Sequence, residues 1–68
     1  MDYVSRTRPD FIGLMVELTL MQKKGWRAEH IGPSSDGIVT DATIYKKRNQ
    51  WFLFEYLKDG NVTISFSK

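Results

Sequence analysis

The sequence QWFLFEYLKDGNVTISFS, residues 50–67, places two runs of aromatic and β-branched residues around a short polar segment. The runs Gln50 to Leu57 and Asn61 to Ser67 predict two β-strands. The segment between them suits a three-residue hairpin loop with Gly60 in the left-handed conformation. In that register six apolar side chains share one face, which needs cover. The predicted cross-strand pairs are Tyr56–Val62, Phe54–Ile64 and Phe52–Phe66.

A third strand is predicted upstream, over Ile38 to Lys46, where β-branched residues are frequent. The turn that follows lacks glycine, but Asn49 can adopt the left-handed conformation, so a second three-residue loop is predicted. This register pairs Ile44 with Phe52 and Ala42 with Phe54.

The same register predicts an outer sheet face that carries apolar side chains. In this predicted register, Tyr45 would lie across from Trp51 on the outer face, next to Leu53 and Leu57. Asp41 would oppose Glu55, and like charges across a ladder repel unless a cation lies between them. Either the register slips by one residue there, or the pair accepts an Arg or Lys; a metal held by two carboxylates is disfavoured.

A helix is predicted from Pro9 to Lys24. Thr7 can cap its first turn with Asp10 as the capping-box partner. Gly25 suits the left-handed position after the last turn, and Trp26 would then contact Met21.

The helix carries two apolar lines. The first follows the spacing of a core-facing stripe, and its members are Phe11, Leu14, Met15, Leu18 and Met21. The second consists of Ile12, Val16 and Leu20. A helix lying on a sheet needs only one apolar stripe. Two stripes therefore predict either that the helix is covered on both sides or that one side contacts a partner.

Shorter strands are predicted over Asp2 to Arg6 and from Trp26 to Ile31, and Gly32 to Gly37 is predicted to be a loop. The predicted fold class is therefore α+β. One helix packs on an antiparallel β-meander of three long strands plus one or two short strands, and residues 1–68 form a single domain.

Composition narrows the function classes. A chain of 68 residues has room for one small core, and without cysteine it has neither disulfides nor thiolate metal sites. Good packing or self-association must therefore stabilise it, and a homodimer is one of these two alternatives. No run is long and apolar enough to span a membrane, and the first six residues lack the layout of a signal peptide, so a cytosolic location is expected.

The candidates for catalysis are weak. His30 could act with Asp36 or Asp41, and Ser34 or Ser35 could be written as a nucleophile, but nothing in the sequence orients these groups. The loop from Gly32 to Gly37 matches no phosphate-binding pattern. No enzymatic activity, metal or cofactor is expected.

A basic run, Lys46-Lys47-Arg48, is predicted at a hairpin tip beside Tyr45 and Trp51. Cations that neutralise phosphates, next to aromatic rings that stack on bases, suit single-stranded DNA or RNA, and a basic ribbon could also enter a duplex groove. The alternative is that these cations keep an aromatic edge soluble.

The order of a short strand, a helix, Gly25-Trp26, a second short strand and Gly32-Pro33 resembles small bacterial and phage domains of unknown function with a "GW…GP" pattern. The resemblance covers roughly Tyr3 to Pro33. It implies that Tyr3 and Val4 belong to a true first strand of a βαβ-like unit, and it implies no activity.

A binding or modulator protein that docks on a larger protein is the expected function, such as a phage- or plasmid-encoded inhibitor of a host enzyme or defence system. Trp51 is the expected anchor, because buried aromatic residues dominate interface energetics. The predicted contact residues are Tyr45, Trp51, Leu53 and Leu57 on the sheet and Ile12, Val16 and Leu20 on the helix. The alternative is a nucleic-acid-binding regulator that uses Lys46, Lys47 and Arg48 with Tyr45 and Trp51.

Overall fold

The computed structural model describes residues 2–68, which fold as one helix on a five-stranded antiparallel sheet. The α+β class is therefore confirmed, with three long strands in the meander. The sheet order is β1-β5-β4-β3-β2. The elements are β1 (Tyr3–Pro9), α1 (Asp10–Met21), β2 (Arg27–His30), β3 (Val39–Lys47), β4 (Gln50–Leu57) and β5 (Asn61–Ser67).

The β4–β5 hairpin forms in the predicted register. Tyr56 pairs with Val62, Phe54 with Ile64 and Phe52 with Phe66. Gly60 has a φ of 88°, the left-handed value that its place in the loop requires. The aromatic face of this hairpin supplies most of the core, which is centred on Phe54 and Val62 and completed by Leu20, Tyr45 and Ile64.

The first strand is longer than predicted and changes how the helix begins. β1 pairs with β5 as far as Pro9, so Thr7 lies in the sheet opposite Thr63 and the predicted Thr7 cap with its capping box is wrong. Pro9 stands at the N-cap position without a side-chain hydrogen bond. The Asp10 N–H instead donates to the Gly60 carbonyl at 3.0 Å, which ties the helix start to the hairpin loop.

The side of α1 that faces the sheet is opposite to the predicted one. Gly13 and Leu20 are buried and Glu17 is half-buried, whereas the predicted core stripe is exposed. The reason is close approach at Gly13, where an added Cβ would lie 2.1 Å from Val62 Cγ1. A glycine at this contact lets the helix backbone rest directly on β5, which no larger residue in the helix could do.

The third strand is shifted by one residue from its predicted register. Lys47 pairs with Gln50, so the turn has two residues, and Arg48 takes the positive φ of 57° that was predicted for Asn49. Tyr45 therefore opposes Phe52, not Trp51. A one-residue slip exchanges the two faces of a strand, which moves Tyr45 to the helix side.

Of the alternatives for Asp41 and Glu55, the one-residue slip is confirmed, because Asp41 opposes Tyr56 and Glu55 opposes Ala42. The register shift between Val39 and Asp41 absorbs one residue, so Val39 lies opposite Leu57.

The ends of the sheet also bear on the predicted βαβ-like unit. β1 is a true strand, but it and β2 occupy opposite edges of the sheet with three strands between them. After α1 the chain turns at Gly25, with a φ of 92°, and Trp26 packs its ring edge-on against Phe52 at 5.6 Å.

Candidate binding surfaces

A carboxylate joins the helix to the sheet beneath it. Glu17 accepts hydrogen bonds from the hydroxyls of Tyr45 and Tyr56, each at 2.6 Å. The pKa of both tyrosines is raised above the ordinary value of 10.0. Burial is the largest cause, and the hydrogen bond to the Glu17 carboxylate and its negative charge add to it. Tyr45 also packs edge-on against Phe54 at 5.6 Å. Tyr45 is therefore part of the core, and its predicted place on an outer contact surface is wrong.

The far side of α1 is an apolar surface, which we call the outer helix face. Its side chains retain 47–63% of their accessible area, although all of them are large and hydrophobic. The members are Phe11, Leu14, Met15, Leu18 and Met21. Between residues 11 and 21 the ionisable side chain is Glu17, and it points to the sheet, so this face carries no charge.

The helix residues predicted to meet a partner lie mostly on the sheet side. Leu20 is 6% exposed within the core, and Ile12 is half-buried. Val16 lies at the border, 39% exposed, beside a hollow that it shares with Leu20 and Phe52. The helix therefore has an exposed apolar side, but this side is formed mainly by the line predicted to face the core and not by Ile12, Val16 and Leu20.

The side of the sheet away from α1 forms a second surface, the open sheet face. Register and strand alternation place on it Tyr3, Ile44, Trp51, Leu53 and Leu57. The rings of Tyr3 and Trp51 lie 5.9 Å apart. Trp51, Leu53 and Leu57 thus stand on the predicted face, and Tyr3 and Ile44 take the place predicted for Tyr45.

Six of the ten basic residues lie in and beside the β3–β4 turn or in the segment after α1, and these two parts of the chain approach each other where Gly25 faces Lys47. This basic end comprises Lys23, Lys24, Arg27, Lys46, Lys47 and Arg48. A hollow of about 620 Å³ lies among four of these cations, and the acidic side chain in its lining is Glu29, 3.5 Å from Lys46.

The basic run splits between the two faces of the sheet. Lys47 lies on the helix side, with its ammonium 5.8 Å from the centre of the Trp26 ring. Lys46 and Arg48 lie on the other side, where they line a hollow of about 330 Å³ together with Trp51 and Leu53. The predicted combination of cations and an aromatic ring is therefore present around Trp51 and not around Tyr45.

The residues considered for catalysis form two separate exposed pairs. His30 Nε2 lies 2.6 Å from Asp41 Oδ1. Ser34 donates to Asp36 at 2.5 Å, and this bond, followed by the N–H of Ile38, lowers the pKa of Asp36. Within residues 2–68, the hydrogen bonds of the Ser34 hydroxyl are with Asp36 and Val39 rather than with His30.

Two further observations concern the part of the chain that the structure describes, residues 2–68. No three His, Asp or Glu side chains there lie close enough together to hold a metal ion. No helix there combines the length and the apolar character needed to cross a bilayer.

Comparison with protein-family models, curated proteins and solved structures finds no match to this chain.

Proposed function

We propose that this chain is a non-enzymatic binding protein that docks on another polypeptide through the outer helix face. The observation that carries this proposal is the exposure of Phe11, Leu14, Met15, Leu18 and Met21 along one side of a three-turn helix. Scattered apolar residues on a surface are ordinary, but a contiguous apolar stripe marks a contact site. A helix that is apolar on all sides normally has cover on all sides.

The test replaces one residue at the centre of the outer helix face. Leu18→Glu places a charge where the partner would exclude water, so co-purification of the bound polypeptide from the native cell should be lost. Because Leu18 is half-exposed in the single chain, the variant should keep its fold, as its circular dichroism spectrum will show.

The matched control is Thr19→Glu, which adds the same charge one position along, about 100° around the helix. Thr19 is exposed and lies outside the outer helix face. Two outcomes would contradict the proposal. In one, both variants still bind the partner equally well; in the other, both variants lose the partner to the same extent.

A second candidate function is supported by a different observation. The basic end adjoins Trp51 and Tyr3 on the open sheet face, and Lys46 and Arg48 line both hollows there. Cations that track a phosphate backbone beside rings that stack on bases are the features of a single-strand binding surface. We infer that a single-stranded DNA or RNA segment is the ligand that this surface would accept.

This candidate predicts that the chain binds single-stranded oligonucleotides with an affinity that depends on salt concentration. Quenching of tryptophan fluorescence on binding measures this affinity. Each phosphate contact contributes about 0.7 to the slope of log affinity against log salt concentration for single strands. Replacing Lys46 and Arg48 with Gln should therefore reduce the slope by about 1.4.

The control for this measurement is Arg6→Gln with Arg8→Gln. It removes the same charge from β1, on the helix side of the sheet. Equal slopes in the two double variants, or no binding to any oligonucleotide at low salt, would contradict the nucleic-acid function.

A further inference from the structure

The spacing along the outer helix face fits a second helix. Phe11, Leu14, Leu18 and Met21 follow one another at intervals of three, four and three residues. This is the spacing at which two helices interlock their side chains along a shared seam. The spacing therefore suits an α-helix as the partner of this surface.

We propose that this helix is α1 of a second copy of the chain, packed antiparallel about a two-fold axis. The proposal rests on the proposed function and names its partner. The seam is symmetric about the level of Val16. An antiparallel copy centred there sets Phe11 of one chain against Met21 of the other and Leu14 against Leu18, so every seam residue meets another seam residue, as a two-fold contact requires.

The charges at the two ends of α1 support the antiparallel arrangement. Asp10 is exposed at the start of the helix, and Lys23 and Lys24 are exposed just beyond its end. In an antiparallel pair the two helices, about 18 Å long, bring the Asp10 of each copy near the lysines of the other. A parallel pair would bring like charges together at both ends.

The size of the core supports a second copy as well. Phe54 and Val62 are the largest fully buried side chains among residues 2–68. A chain of 68 residues without a disulfide buries little surface for its length, and self-association is a common way to add to it. Pairing the outer helix faces would give the two sheets one continuous apolar interior, with the helices between them.

The first experiment measures the oligomeric state of the purified full chain by sedimentation over a range of concentrations. We expect a monomer–dimer equilibrium. Leu18→Glu should weaken the dimer by more than about 100-fold, because it places two charges in the buried seam. Thr19→Glu, which lies beside the seam, should weaken it far less.

The second experiment exchanges charges across the contact. Asp10→Lys alone and the double variant Lys23→Glu with Lys24→Glu should each weaken their own dimer, by roughly tenfold. A mixture of the two should form a heterodimer as tight as the wild-type dimer, because each end again joins opposite charges. High salt should reduce all these differences.

The outcomes separate this proposal from the proposed function. If the chain stays monomeric at every concentration, the second-copy proposal is wrong. If Leu18→Glu then still abolishes capture of a different polypeptide, the proposed docking function is retained. A dimer that is unaffected by Leu18→Glu overturns the contact at this face. If the mixed charge variants fail to recover, the antiparallel arrangement is wrong.

Discussion

At the scale of single residues, Gly13 and Glu17 decide how the helix meets the sheet. Gly13 brings the helix backbone onto Val62, and Glu17 accepts the hydroxyls of two tyrosines from neighbouring strands. A glycine and a glutamate in an apolar helix do not indicate a core-facing side by periodicity. The sequence therefore predicts that two apolar lines exist, but not that the thinner one is buried.

Gly13→Ala should destabilise the fold, although alanine favours a helix by about 1 kcal/mol. The added methyl group would overlap Val62 Cγ1, and such overpacking costs about 1–3 kcal/mol. The free energy of unfolding in urea measures the effect. Thr19→Ala, at an exposed position of the same helix, should cost less than about 0.5 kcal/mol.

A double variant identifies the contact as the cause. Val62→Ala alone leaves a cavity, whereas combined with Gly13→Ala it makes room for the new methyl group, so the two costs should not add. Fully additive costs, or a Gly13→Ala variant as stable as the wild type, would show that the helix does not rest on Val62.

At the scale of elements, the hairpin with a glycine at its turn was predicted in the correct register, and the hairpin without one was not. Gly60 fixed the loop length of the β4–β5 hairpin, and its register follows as predicted. The β3–β4 turn offers Arg48 and Asn49, and either could take a positive φ. In the register of the two-residue turn, Tyr45 contacts Phe54 and Glu17. These residues are distant in sequence, so the local sequence does not reveal the contacts.

The candidate surfaces follow the same rule. Trp51 and Leu53 belong to the well-predicted β4, and they stand on the expected open face. Tyr3 was missed as their neighbour because its place depends on β1 pairing with β5, opposite Ser67, across the length of the chain. The outer helix face was missed because its residues match a core stripe in every local respect.

At the scale of the whole molecule, the Glu17 carboxylate couples the fold to proton binding. It joins α1, β3 and β4 through Tyr45 and Tyr56, whose pKa values are raised in the folded chain by burial and by this carboxylate. As the pH rises past the ordinary tyrosine pKa of 10.0, the unfolded chain loses these protons first. The free energy of unfolding is therefore at its full value below that pH and falls above it.

Denaturant unfolding from about pH 8 to about pH 11 tests this coupling across the molecule. The wild type should lose stability steeply above about pH 10, by the equivalent of up to two protons. Tyr45→Phe and Tyr56→Phe should each be less stable than the wild type at neutral pH, because each lacks a hydrogen bond. Above about pH 10 each should lose stability less steeply, since one tyrosine fewer is coupled. All other ionisable side chains are common to every variant, so their contributions cancel in the comparison. A wild-type slope equal to that of both variants would mean that the Glu17 cluster does not hold its tyrosines protonated in the folded chain.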